Sequence, residues 1–136
     1  MQYFLAKSEP DTYSIDQLRE DVRTIWDGVK SPQALQAIRA MKAGDRVFIY
    51  HSGANAGVAG MAEVASAPRP DPKNAKLTVV ELKFRHKFEA PTPLRDIKDS
   101  GLFEEWALVR QGRLSTMSAP SEFVDWMRKR YPGEDI

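Results

Sequence analysis

Several short stretches of this sequence set charged or polar side chains directly beside strongly apolar ones. They are Lys7-Ser8-Glu9-Pro10, Trp26-Asp27-Gly28-Val29, Tyr50-His51-Ser52 and Arg110-Gln111-Gly112-Arg113-Leu114-Ser115. Each residue type suggests a chemistry. Trp26 offers a flat π face on which a planar ring can stack, and Tyr50 can form a second wall and supply a hydroxyl. Ser8, Ser52 and backbone amides can hydrogen-bond a polar ring edge. Asp27 or Glu9 can accept from an exocyclic amine, as carboxylates do from cytosine. Arg110 and Arg113 can bind a phosphate, or clamp a carboxylate in bidentate fashion. Together these groups describe a pocket for a planar, polar ligand.

Each group also has a structural explanation. Trp26 taken alone fits a core position more readily than a cage, and Arg113 serves equally well in an ion pair to Asp27 or Glu9. Ser8 and Glu9 suit a turn, and Tyr50 and His51 suit a strand end. His86 falls on an apolar strand face and reads as a core histidine. The stripe of Lys83, Arg85 and Lys87 is diluted by Glu81 and Glu89 and reads as a solvated face. A hydrolytic centre can be assembled from His51 with Ser8 or Ser52 and Asp27. Neighbouring strand residues point to opposite faces, so His51 and Ser52 would need a bend between them to meet.

Composition removes many alternatives. The chain has 136 residues, no cysteine and two histidines. Disulfides, thiolate catalysis and cysteine-ligated metals are therefore excluded, and His51 and His86 lack helical ligand spacing. Phosphate-cradling glycine motifs and the G-x-S-x-G elbow are absent, so no cofactor, metal or catalytic residue is expected. The formal net charge of +1 is too small to grip a nucleic acid backbone by charge alone. No apolar run approaches a membrane span and the amino terminus has no signal-peptide pattern, so a cytoplasmic protein with no membrane partner is expected.

The elements that must position these groups follow from pattern. Tyr3-Phe4-Leu5 opens a strand. Ser14 with Gln17 has capping-box spacing for a short helix to Asp21. Trp26-Asp27-Gly28 reads as a turn or loop. Ser31-Pro32 starts a second helix carrying Leu35, Ile38 and Met41, with Gly44 as its stop. Asp45–Ser52 reads as a central strand, apolar on both faces, and Gly57–Val64 as a small-residue strand in which Gly60 marks a close approach. Ala65–Asn74, with its prolines, reads as a loop. Leu77–Glu89 alternates as a long strand. A short helix follows Thr92-Pro93, a helical or irregular segment holds Phe103 and Trp106, Arg113–Met117 forms a closing strand, and Pro120–Arg130 is amphipathic. Without regular strand–helix alternation, the expectation is one α+β domain spanning residues 1–136, with a mostly antiparallel sheet or small barrel and peripheral helices.

The segments KSEPDTYS (Lys7–Ser14), WDGV (Trp26–Val29), GDRVFIYHS (Gly44–Ser52), GVAGMAEV (Gly57–Val64) and VRQGRLS (Val109–Ser115) resemble, in order, the signature runs of the EVE domain. The resemblance implies a PUA-like fold, a small mixed β-barrel surrounded by helices. It implies a non-catalytic module that recognises a modified base in DNA or RNA; the lack of a basic stripe favours the alternative, a free nucleoside-like ligand that is sensed or turned over. Lys7, Ser8, Glu9, Trp26, Asp27, Tyr50, His51, Ser52, Arg110, Gln111, Arg113 and Ser115 match the family's runs and are implied to line or brace one pocket. The chain departs from the family after WDGV, where Lys30-Ser31-Pro32-Gln33-Ala34 replaces Arg-Asn-Tyr-Gln-Ala, and at Gly112, where serine is more usual. If the replaced groups touch ligand in relatives, a bidentate donor is lost here.

Overall fold

A computed structural model describes residues 1–136. In chain order its elements are β1 (Tyr3–Ser8), α1 (Ile15–Asp21), β2 (Arg23–Trp26), α2 (Pro32–Arg39), β3 (Arg46–His51), β4 (Gly57–Val64), β5 (Arg69–Asp71), β6 (Asn74–Pro93), α3 (Leu94–Asp99), α4 (Ala107–Arg110), β7 (Thr116–Ser118) and α5 (Ser121–Arg130). This is a mixed α+β architecture. The seven strands run in the order β2-β6-β4-β3-β1-β7, with β5 attached to β6. Only β1 and β3 pair in parallel; every other pair is antiparallel.

The helix starts follow from local chemistry. The Ser14 hydroxyl accepts from the Gln17 amide at 3.1 Å, and the Ser31 hydroxyl accepts from the Ala34 amide at 3.2 Å. Each satisfies a backbone donor that an uncapped helix would leave unpaired. The second helix ends at Arg39, before Gly44, which instead makes the turn into β3 at φ +96°. Val47 to Tyr50 are all buried, because β3 is hydrogen-bonded on both edges and covered on both faces.

Two strands escape the sequence pattern. Residues 23–26, expected to lead into a turn, form β2 on the sheet edge, where the pairing of Trp26 with Val80 fixes their conformation. The proline-rich segment contains β5. Pro70 is tolerated there because β5 pairs with β6 alone, leaving the other edge without ladder bonds to lose. The closing strand is displaced to residues 116–118 and pairs with β1. The expected barrel is not closed by hydrogen bonds, since β2 and β7 end the strand path without meeting.

Gly60 is needed for packing. A Cβ there would lie 2.4 Å from the His86 carbonyl oxygen and 2.8 Å from the Ile15 side chain. The close approach is thus made by β6 and α1. On the opposite face of β3, Phe48, Phe103, Trp106, Phe123 and Trp126 form a continuous aromatic cluster with centroid separations of 4.5–5.9 Å between neighbours around Phe123. It anchors α5 and the α4 segment to β3, leaving the end of β1 and the β2 edge to frame a depression.

Candidate functional site

That depression is a cavity of about 540 Å³. Its walls are the end of β1 (Lys7, Ser8), the turn that follows (Glu9, Thr12, Tyr13), β2 with its exit loop (Thr24 to Val29), and Ser115 before β7. Two turns bring these walls together. The Thr12 and Tyr13 amides both donate to the Glu9 carbonyl, at 2.9 and 2.8 Å, and the Ser8 hydroxyl donates to the Tyr13 carbonyl at 2.7 Å. Tyr13 is thereby folded back beside Ser8. On the other wall, Gly28 adopts φ +77°, which favours glycine, and the chain re-enters the core at buried Val29.

Trp26 is both core and wall. It is 8 % exposed, belongs to the main hydrophobic cluster, and also borders the cavity. Tyr13 meets it edge to face at 6.1 Å between ring centroids. The Tyr13 hydroxyl donates to Asp21 at 2.8 Å, and burial raises its pKa. Lys7 is half-buried. Its ammonium donates to the Gly112 carbonyl at 3.0 Å and lies 5.3 Å from the centre of the Tyr50 ring, and burial lowers its pKa. Asp27 and Glu9 are exposed carboxylates engaged in no ion pair and no side-chain hydrogen bond.

The structure distributes the remaining expected residues differently. Tyr50, expected as the second wall, is 3 % exposed and lies beneath Lys7 on the central strand; Tyr13 takes the position beside Trp26. Burial raises the Tyr50 pKa. His51 and Ser52 border an adjoining depression that shares only Glu9 with the first. The His51 Nε2 accepts from the Ile15 amide at 3.0 Å, capping α1, and burial lowers the imidazole pKa. Ser52 donates backbone and hydroxyl bonds to the Ser8 carbonyl, at 2.9 and 3.4 Å. The hydrolytic arrangement is therefore not assembled. The His51 nitrogen lone pair is committed to a backbone amide, and Asp27 borders the other cavity.

Arg110 is ion-paired to Glu105 and does not border the cavity. Gln111 is exposed, its amide donating to Ala107 in the turn after α4. Arg113 is exposed and pairs with neither Asp27 nor Glu9, so the ion pair weighed for it does not form. Ser31 and Pro32, which replace the usual residues after WDGV, are used in starting α2.

Thr12, Tyr13, Thr24, Ile25, Gly28 and Val29 are the lining residues absent from the expected site. Tyr13 had a signal, its place immediately before the N-cap Ser14, where an apolar side chain fixes the entry of the chain into a helix. Thr24 had none, because β2 itself was not legible. No group of three His, Asp or Glu side chains comes together as a metal site.

Comparison with known proteins agrees with this architecture. The EVE domain family model matches residues 2–130. Human thymocyte nuclear protein 1 is 27% identical over 161 aligned positions, covering 92% of this chain and 72% of that protein. The solution structure of Rpa0253 from Rhodopseudomonas palustris superposes with a TM-score of 0.91 at 30% identity, covering 100% of this chain and 97% of that one. The human THYN1 protein, solved in complex with 5-methylcytosine-containing DNA, superposes with a TM-score of 0.88 at 24% identity, covering 99% of this chain and 100% of that one, and shares the fold. With nearly its whole length matched by the family model, this chain belongs to the EVE domain family.

Proposed function

We propose that residues 1–136 act as one non-catalytic module whose cavity receives a modified nucleobase turned out of a DNA strand. The observation that carries this reading is Asp27, an unpaired carboxylate placed next to Trp26 on the wall of an aromatic-sided cavity. A volume of about 540 Å³ lies within the roughly 300–1,000 Å³ of ordinary ligand pockets. An extruded base exposes a complete hydrogen-bonding edge, which the duplex hides. Asp27 and Glu9 supply acceptors for an exocyclic amine; Lys7 and Ser115 supply donors. Trp26 and Tyr13 provide the apolar boundary. Ser8 belongs to the wall, Tyr50, His51 and Ser52 brace it from behind, and Arg113 lies two residues before the lining residue Ser115. The complex of the human THYN1 protein makes 5-methylcytosine the first base to test.

The test compares oligonucleotides carrying one 5-methylcytosine with their unmodified counterparts, for the wild type, Asp27→Asn and Trp26→Phe. We expect the wild type to prefer the modified strand. Asp27→Asn should weaken that binding about tenfold, in line with roughly 1–3 kcal/mol for a good base contact. Unchanged affinity in both variants for every modified base would overturn the site. The small net charge favours a second reading, a free nucleoside-like ligand. Binding that is insensitive to salt and retained by the isolated nucleoside would select it.

A further inference from the structure

We infer that the polynucleotide backbone crosses the mouth of the cavity along one side only, over the Gly28–Lys30 and Gly112–Ser115 segments, with Lys30 and Arg113 as its phosphate contacts. The inference rests on the base-pocket reading and adds to it a path for the strand.

Unpaired charge of the two signs is segregated near the cavity. Lys30 follows the lining residue Val29, and Arg113 lies between Gly112, which holds the Lys7 ammonium, and the lining residue Ser115. Both are exposed, and neither makes an ion pair or side-chain hydrogen bond. Arg110, three residues earlier, is held by Glu105 and is not available in the same way. The turn after β1 has the reverse sign. Glu9 and Asp11 are exposed carboxylates without cationic partners, bordering the adjoining depression, whose lining includes no lysine or arginine. A phosphodiester routed over Glu9 and Asp11 would meet like charge; over Lys30 and Arg113 it meets opposite charge. Lys7, drawn inward to the Gly112 carbonyl and the Tyr50 ring, is placed for the base rather than the backbone.

The consequence is a division of labour. Phosphate contacts set affinity and salt dependence but are blind to the base, while cavity contacts discriminate the base. Binding of a 5-methylcytosine oligonucleotide and its unmodified counterpart is measured across a salt series for the wild type, Arg113→Ala, Lys30→Ala, Asp11→Asn and Lys129→Ala, an exposed control on α5. We expect Arg113→Ala and Lys30→Ala each to weaken both oligonucleotides by the same factor, roughly fivefold. Each should also reduce the slope of log K against log salt by about 0.7 for a single strand or 0.9 for a duplex. Asp11→Asn should leave binding equal or tighter, and Lys129→Ala should leave it unchanged. Wild-type discrimination together with wild-type affinity and slope in Arg113→Ala and Lys30→Ala overturns the path alone. Loss confined to the modified oligonucleotide overturns it too, by making these residues base contacts. A wild type that discriminates no base overturns the pocket reading, and this inference with it. Both substitutions remove exposed, uncontacted side chains, so an unchanged melting curve accompanies each result.

Discussion

Along β6, Arg85 reaches Glu63 at 3.4 Å and Asp135 at 2.5 Å, Lys87 holds Asp16 at 2.7 Å, and His86 lies against Glu134. Around the cavity, Asp27, Glu9, Lys30 and Arg113 have no charged partner. The first region uses its charges on itself. Arg46 extends the same network, 3.7 Å from Glu63, too far for a hydrogen bond, and its Nε is sealed from solvent without an acceptor. The second region leaves its charges unspent. Arg85 and Lys87, which look like part of a nucleic-acid stripe in the sequence, are thus paired within the fold, while Lys83 of the same stripe and the four charges around the cavity are not. Charge type alone does not distinguish these two regions; the pairing of Arg85 and Lys87 does.

The strongest test of this contrast falls on Trp26, which belongs to both core and cavity. Trp26→Ala should cost about 3–5 kcal/mol of stability, read by chemical denaturation, as for other buried aromatic truncations. A cost near zero would make the indole a free platform and move the boundary between the two regions. Arg85→Ala tests the opposite side. Its pairs are partly exposed, so the loss should be about 1 kcal/mol or less, shrinking as salt is added, with oligonucleotide affinity unchanged. Altered affinity would mean that the β6 network serves the ligand after all. The smallest effect belongs to His51. Its folded pKa is depressed, so the unfolded chain binds the proton more readily over the window from its ordinary value near 6.5 down to the folded value. Stability should therefore be full above about pH 6.5 and decline as pH falls through that window. His51→Gln should flatten this part of the profile, and an unchanged profile would remove the imidazole from the support of α1.

Much of the scaffold was readable because local chemistry decides it. Ser14 and Ser31 cap their helices as their spacing predicts, and the apolar run at Val47–Tyr50 becomes the buried central strand. Gly60 signals a close approach, and the structure identifies the neighbours. β2 was not readable. Its four residues alternate weakly, two of them exposed, and only pairing with β6 makes them a strand. The cavity inherits that difficulty. Lys7, Ser8, Glu9, Trp26, Asp27 and Ser115 all border it, but Tyr13 and Thr24 join them only through the turn after β1 and the edge pairing of β2. Tyr50 lies outside because a central strand with both edges bonded draws its side chains inward, whatever hydroxyl they carry.

The placement of the three tryptophans also gives the molecule an optical asymmetry. Trp106 and Trp126 are held among Phe103 and Phe123, whereas Trp26 alone borders the cavity, against Tyr13. A base received there as proposed would touch one of the three indoles and so change the emission of Trp26 alone. With Trp106 and Trp126 replaced by phenylalanine, the remaining fluorescence becomes a direct, label-free gauge of cavity occupancy.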